Sequence, residues 1–465
     1  MSYNKITPEI VAKISAIVGA DNVITEHFDL EKYSHDETEN LSYYPEVAVK
    51  PRTPGEIAQL LKLCNEFNIP VTPRGGGTGL TGGALAVSGG VLVSMERFNS
   101  IIDIDEQSMQ ATVEPGVITE VFMNAVAAKG MFYPIDPSSK GSCFLGGNVA
   151  NGSGGPRVVK YGTIREYILN LEVVLPSGDI IWTTSNTLKF ATGYNLTQLL
   201  IGSEGTLGIV TKIVTKLIPL PKINVLMLAA FGSNEEACAA VSAIFRAGIV
   251  PSALEYMERN CIVWVKNYSG IHFELKDSDE AFLLIEVDGA DNETIFAQCE
   301  KINAVLEDFG CKDTLFADTA AQKAELWRIR RTIGESVKQH GVYKKEDTVV
   351  PRALLPKLVK GVKEIGASYG FESVCFGHAG DGNMHINIIK GQMSDSDWDT
   401  ELNKAIAEIF KLTVALGGTI SGEHGIGLVQ KEFLPIRYNN VHFELLRGIK
   451  KVFDPNNILN PGKIF

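Results

Sequence analysis

The sequence predicts an α+β protein of more than one domain, on three observations. The chain has 465 residues, beyond the size at which a single hydrophobic core stops growing. Its first half is built of short apolar runs separated by glycine-rich loops, and its second half alternates strand-like apolar runs with helix-like stretches. Hydrophobic residues make up 45% of it, ample for several cores.

In chain order, residues 47–49 read as a strand, the stripe Ile57, Leu60, Leu61 and Cys64 as a helix with Pro54 at its start, and residues 69–72 as a second strand. Strands and turns dominate from there to residue 215. Pro219-Leu220-Pro221 then marks a boundary, since prolines interrupt regular elements. Beyond it, residues 225–231 and 282–287 suit strands, and 235–246 and 294–309 suit helices, so a sheet covered by helices is expected. A helix over 397–416 leads into the closing tail. The expected domains are therefore residues 1–221, an α/β domain over 222–415, and a C-terminal segment over 416–465. The chain carries no internal repeat and no low-complexity segment.

Charge excludes one class of partner. A net charge of -12 and a pI near 5.3, with no lysine-arginine run, argue against nucleic acid. Seven cysteines, odd in number and scattered, fit reduced thiols in a cytoplasm rather than a disulfide framework. They form no C-x-x-C, so an iron-sulfur cluster in this chain is not expected. Residues 1–18 mix charges among apolar positions and do not read as a signal peptide, and nowhere do 18 apolar residues run together, so no membrane span is expected. Peripheral docking to the inner face of a membrane is left open, as is a homodimer.

Three short stretches bring metal-binding side chains into glycine-rich turns: Gly377-His378-Ala379-Gly380-Asp381-Gly382-Asn383-Met384-His385, then Asn387, then Gly422-Glu423-His424-Gly425. The first reads as a hairpin, with strands over 374–377 and 384–389. If His378 and His385 face each other across it, both leave the sheet on one side, and Asn387 shares that face by the strand period of 2. Two neutral imidazoles with Glu423 from a separate loop match the open three-ligand site of catalytic zinc. A nitrogen and oxygen set without thiolate also accommodates iron or manganese. The other histidines, His27, His35, His272, His340 and His442, show no comparable spacing.

The second informative region is Pro73-Arg74-Gly75-Gly76-Gly77-Thr78-Gly79-Leu80-Thr81-Gly82-Gly83, entered from an apolar run. Bare amides and permissive dihedrals let such a main chain approach a phosphate closely. Gly77, Gly79 and Gly82 fit G-x-G-x-x-G, but the dinucleotide motif needs a helix immediately afterwards, and a short connection and another strand follow instead. A Rossmann fold is disfavoured, and a P-loop is excluded for want of G-x-x-x-x-G-K-[ST]. Further glycine turns lie at Gly146-Gly147-Asn148, at Asn151-Gly152-Ser153-Gly154-Gly155 and over residues 202–210. Four in one half of the chain imply a long ligand lying over backbone.

These motifs carry a resemblance. Residues 73–83, Asp136-Pro137-Ser138-Ser139, residues 146–155 with Tyr161-Gly162, and residues 202–210 resemble the FAD-binding half of the vanillyl-alcohol-oxidase (PCMH) type flavoproteins. The stretches with His378, His385, Glu423 and His424, and the closing Pro455-Asn456-Asn457-Ile458-Leu459-Asn460-Pro461-Gly462-Lys463, resemble the FAD-linked D-2-hydroxyacid dehydrogenases of the D-lactate, glycolate and D-2-hydroxyglutarate type. The similarity runs from about Tyr33 to the last residue.

That resemblance implies FAD as cofactor, held by Pro73, Arg74, Gly75, Gly76, Gly77, Thr78, Gly79, Leu80, Pro137, Ser138, Gly146, Gly147, Asn148, Asn151, Gly154, Gly155, Gly208, Ile209, Val210 and Asn460. It makes residues 222–415 a substrate or cap domain, with the tail returning to the FAD domain. Arg330 and Lys345 correspond best to the arginine and lysine that contact substrate in the family, where an arginine fork suits a carboxylate and lysine supplies a point charge. Where the hydroxyglutarate enzymes place a threonine, this chain has Gly334. The expected reaction is metal-assisted: a divalent metal, zinc first, on His378, His385 and Glu423 polarises the 2-hydroxyl of a D-2-hydroxyacid, His424 takes its proton, and hydride passes to the flavin while Asn387, Arg330 and Lys345 orient the carboxylate. Electrons then leave to an external acceptor: an electron-transfer flavoprotein, cytochrome, quinone or iron-sulfur subunit. Rival expectations are a glycolate oxidase subunit dependent on iron-sulfur partner chains, an alcohol or sugar oxidase of the same fold, and a non-catalytic flavin-binding sensor.

Overall fold

Four short apolar strands open the computed structural model, which describes residues 3–465. They form a sheet in the order Val23–Ile24, Val47–Val49, Val91–Ser94, Val71–Arg74, with the last three parallel. Val47, Val49, Val91 and Val93 are buried, as runs of valine in a parallel sheet require. Helices Pro8–Val18 and Pro54–Glu66 supply the rest of this core through Ile10, Ile14, Ile57, Leu60 and Leu61. Each starts with proline just after a threonine, Thr7 or Thr53, whose hydroxyl accepts an amide N–H of the first turn. A second sheet of five antiparallel strands follows, ordered Ile101–Asp105, Gln110–Val113, Ile209–Lys216, Ile168–Val174, Ile180–Trp182. Together with residues 423–465 these sheets make one compact unit, of residues 3–154, 163–220 and 423–465. The tail is woven in by backbone, Leu459 bridging Val71 and the Asn460 N–H reaching the Val71 carbonyl at 2.7 Å.

The second unit comprises residues 155–162 and 221–422. Its centre is a seven-stranded antiparallel sheet in the order Asp313–Ala317, Ile223–Phe231, Ala281–Gly289, Ala253–Glu258, Glu372–Gly377, Asn383–Ile389, Tyr343–Val349. Helices Arg259–Ser269 and Ala320–His340 pack on one face through Ile262, Trp264, Trp327 and Ile333 against Leu226, Met257, Phe282 and Phe376. The excursion 155–162 is fastened to the same sheet: Arg157 pairs with Glu286 at 3.2 Å, and Lys160 and the Tyr161 hydroxyl both hold Asp288.

Two expectations need correcting. Gly146-Gly147-Asn148 is no turn but part of a helix, Leu145–Asn151. Gly146 is there for close approach, since a Cβ on it would lie 2.5 Å from Pro115. In the hairpin, His385 stands opposite Phe376, not His378. His378 lies just past the ladder, where the turn begins, and its carbonyl accepts the Asn383 N–H at 3.1 Å. The turn is tight because Gly382, at φ +86°, lies against the Val350 carbonyl where a Cβ would not fit.

Candidate active site

The second unit gathers most of the predicted chemistry on one face of its sheet. In the central strand Asn383–Ile389, His385 lies beside Asp347 and Phe376, and Asn387 beside Lys345 and Val374. Directly opposed residues share a side, so these six project together. His378 comes two residues after Phe376, and its ring lies 5.4 Å from that of His385. Arg330 reaches the same place from helix Ala320–His340, its guanidinium 4.9 Å from the Phe376 ring centre, with the Lys345 ammonium at 5.8 Å.

Two carboxylates not predicted from the motifs organise this cluster. Glu255, fully buried in strand Ala253–Glu258, accepts from His378 Nδ1 at 2.7 and 2.9 Å and pairs with Arg330 Nη2 at 2.6 Å. Burial by itself would raise its carboxyl, but the charges and hydrogen bonds of His378 and Arg330 together outweigh burial and hold it below the ordinary range. Asp347 lies behind His385, its Oδ1 3.6 Å from Nδ1, too long for a hydrogen bond. It is fixed by the Asn383 amide at 2.6 Å, the Ser421 hydroxyl at 3.2 Å and the Gly422 N–H at 2.8 Å. Asn387 donates to the Val374 carbonyl at 3.1 Å.

This donor set fits a divalent metal. A carboxylate can only accept, so His378 Nδ1 carries the proton and Nε2 is left as the electron-pair donor. A carboxylate behind a ligating imidazole is the usual outer shell of such sites. Glu423, the remaining predicted ligand, follows Gly422 directly in the chain and begins the segment that belongs to the first unit. There the backbone of residues 423–427 is pinned: the His424 carbonyl accepts from Asn151 at 3.1 Å and from Thr81 at 3.3 Å. Glu204 takes the Ile426 and Gly427 N–H groups at 2.8 and 2.7 Å. Burial raises the Glu204 carboxyl above its ordinary value against the pull of these donors and of Lys463.

The predicted cofactor residues lie in the first unit, Gly155 excepted, which opens the excursion. Pro73 and Arg74 end strand Val71–Arg74, and Gly75 leads the loop against the helix Leu145–Asn151, where a Cβ on it would lie 3.6 Å from the Gly147 backbone. Gly76 lies tight on the Ser142 carbonyl, 2.6 Å from where its Cβ would be. Pro137 and Ser138 form the turn before that helix, and Ile209 and Val210 start the central strand of the five-stranded sheet. Asn460 is a clamp, its amide donating to the Gly83 and Glu204 carbonyls at 3.0 and 2.8 Å. Two buried groups here lack partners: Arg74 Nη1 has no acceptor and Asp36 Oδ2, beside Gly79, has no donor. A ligand with both phosphate oxygens and hydroxyls would satisfy them, as FAD does.

Residues 220–464 match the family of FAD linked oxidases, C-terminal domain, and residues 45–184 match the FAD binding domain. A protein named glycolate oxidase subunit GlcD, from Bacillus subtilis, is 38% identical over 99% of this chain and 97% of its own. The chain belongs to the FAD-linked oxidase family. A D-lactate dehydrogenase from Anaerostipes hadrus is 36% identical over 99% of this chain and 98% of its own. This FAD-linked oxidase is thus an FAD-dependent oxidoreductase of the D-lactate, glycolate and D-2-hydroxyglutarate dehydrogenase type. Its fold is that of the vanillyl-alcohol-oxidase flavoproteins. A crystal structure of p-cresol methylhydroxylase with substrate bound superposes at a TM-score of 0.81, at 20% identity, over all of this chain and 98% of that one. Among the described residues no helix is long and apolar enough to cross a membrane.

Proposed function

We propose that this FAD-linked oxidase converts a D-2-hydroxyacid, of the D-lactate or D-2-hydroxyglutarate kind, into the 2-oxo acid and passes the electrons to an external acceptor in the cytoplasm. The observation that carries the reading is the sheet face on which two carboxylate-backed imidazoles, His378 and His385, share space with Arg330, Lys345 and Asn387. In this reading residues 1–221 and 416–465 hold the FAD and residues 222–415 hold the substrate, with His378, His385 and Glu423 for a divalent metal, zinc first.

FAD, when bound, supplies the two-electron hydride acceptor, and the metal a Lewis acid that favours ionisation of the 2-hydroxyl. The protein's own groups do the rest. His424 accepts the hydroxyl proton at its imidazole, a base whose unperturbed pKa lies near neutrality. Arg330 is kept rigid and partly neutralised by Glu255, so it orients the substrate carboxylate while Lys345 adds the positive charge that binding an anion to an acidic protein requires. Asn387, tied to Val374, presents its carbonyl oxygen and remaining N–H in a fixed direction.

Anaerobic addition of D-lactate, D-2-hydroxyglutarate or glycolate to the purified flavoprotein is the test. Bleaching of the flavin band by one of them, and not by its L enantiomer where one exists, is the expected result; no bleaching with any 2-hydroxyacid overturns the proposal. A glycolate-oxidising subunit that works with iron-sulfur chains is the second reading, favoured by the name of the B. subtilis relative. Turnover of the isolated chain with an artificial acceptor removes the need for such partners.

A further inference from the structure

Strand Tyr343–Val349 is the last in the order of the seven-stranded sheet, so one side of its backbone has no strand beside it. A later stretch of chain reaches that edge. Val349 and Thr419 exchange both backbone hydrogen bonds, at 3.1 and 2.9 Å, and an antiparallel ladder continued from this pair would set Ser421 opposite Asp347. The bridge at Thr419 stays isolated, however, and two residues on it is a side chain that receives the chain. Asp347 Oδ2 accepts the Ser421 hydroxyl at 3.2 Å and the Gly422 N–H at 2.8 Å. Asp347 projects from the face that carries His385, so a chain gripped by its carboxylate is lifted out of the plane of the sheet onto that face.

The grip is built for one shape and one charge. A Cβ on Gly422 would lie 2.6 Å from the Asn383 amide nitrogen, the same group that donates to Asp347 Oδ1 at 2.6 Å, so glycine lets the chain pass close over the pair. Asn383 thus donates to one carboxylate oxygen while Ser421 and Gly422 donate to the other. An amide at position 347 could not replace it, because one of its ends would turn N–H groups toward those of Asn383 or Gly422. His385 does not account for this acid, since its Nδ1 lies 3.6 Å from Oδ1, beyond a hydrogen bond. What the arrangement does fix is the backbone immediately before Glu423 and His424.

We infer that Asp347 is a positioning residue for the reaction: by holding Ser421 and Gly422 it sets where Glu423 and His424 stand. The inference rests on the roles proposed above for those two residues.

D347N in the holoenzyme tests it. Turnover at saturating metal should fall by about 100-fold, the scale of a displaced catalytic group, with FAD content unchanged. Metal affinity, read by competition with a chelator and needing no turnover, should fall by about 10-fold. The decisive readout is a cycle with H424A. If Asp347 acts by placing the base, D347N should cost less than about 3-fold in a chain from which that base is already gone. Wild-type turnover or wild-type metal affinity in D347N overturns the inference, as does a loss of turnover as large in the H424A background as in wild type. Should D347N fail to fold, S421A decides, since it removes one hold at a half-buried position: a fall in turnover of about 3-fold that vanishes in the H424A background supports the inference, and wild-type turnover overturns it. Wild type that oxidises no 2-hydroxyacid would be a failure of the proposed reaction instead, and metal competition would then decide for Asp347 alone, unchanged affinity in D347N overturning its role.

Discussion

In the first unit the residues proposed for the cofactor are largely glycine-rich main chain, whereas in the second those proposed for substrate and metal are ionisable or polar side chains. Gly76 and Gly146 matter for the atoms they lack, and Asn460, Glu204 and Thr81 hold backbone to backbone. Around His378 and His385 the reverse applies: the Glu255 carboxylate holds both the His378 imidazole and the Arg330 guanidinium, and Asp347 lies 3.6 Å behind His385. The difference follows from what is being held. A long cofactor with two phosphates is recognised by many amide N–H groups that need no protonation state, while a reaction at one carbon needs a few groups of defined charge.

The sharpest way to break this division is His424, the first-unit side chain proposed as the general base. His424→Ala should cost a factor of about 100 to 10,000 in turnover, the usual contribution of a general base, with FAD and metal contents unchanged. Steady-state kinetics with an artificial acceptor and elemental analysis measure both. Full activity would mean that the base belongs to the second unit.

Glu255→Gln probes the other side. The change leaves the Arg330 guanidinium buried without its counter-charge, for which a loss of about 3 kcal/mol in unfolding free energy is expected. It also removes the charge behind His378, so metal affinity should fall by about 10- to 100-fold while FAD stays bound. Denaturant titration and metal competition read the two effects separately. Loss of FAD instead would contradict the division of labour.

Motifs revealed the actors but not their supports. The glycine loop, the His378 to His385 hairpin and the strand-helix alternation were legible because each is a local pattern with a local cause. Glu255 was not: it sits in Ala253–Glu258, a strand with no motif, and acquires its role when sheet order places that strand beside Glu372–Gly377. The place of Asp347 behind His385 likewise depends on a register that no residue spacing encodes. The helix at Gly146 and Gly147 was read as a turn because two adjacent glycines weigh against helix when considered alone; packing on Pro115 overrides that preference. The excursion of residues 155–162 into the second unit is written in Arg157, Lys160 and Tyr161, whose partners lie more than 120 positions away.

Lys463 sharpens the comparison by placing a titratable side chain in the backbone-built unit. Burial lowers its ammonium to about 8, with Asp36 and Glu204 opposing the fall, whereas a lysine in the unfolded chain titrates at about 10.4. Between those values the unfolded chain binds more protons, so this group makes stability rise with pH from about 8 to about 10, by about 1.4 kcal/mol per unit at most. Lys463→Met should therefore flatten the unfolding free energy across that window relative to wild type, as read by denaturant titration at several pH values. A parallel pair of profiles would mean that the ammonium is not buried in solution.

The smallest expected effect separates the two modes most cleanly. Gly147 lies inside helix Leu145–Asn151, and a Cβ placed on it meets no atom of the protein within 4 Å. By helix propensity alone, Gly147→Ala should stabilise the cofactor-free protein by about 0.5 to 1 kcal/mol. If the backbone at Gly147 approaches FAD, the added methyl instead stands in the cofactor's way, and FAD retention after dialysis should fall. Opposite signs for the two quantities, a higher melting temperature without FAD and a lower FAD occupancy, are the expected signature of a residue kept as glycine for its ligand rather than for its fold. A rise in stability with unchanged FAD binding would move the cofactor away from this helix and leave Gly75 and Gly76 as structural glycines packed on Gly147 and Ser142.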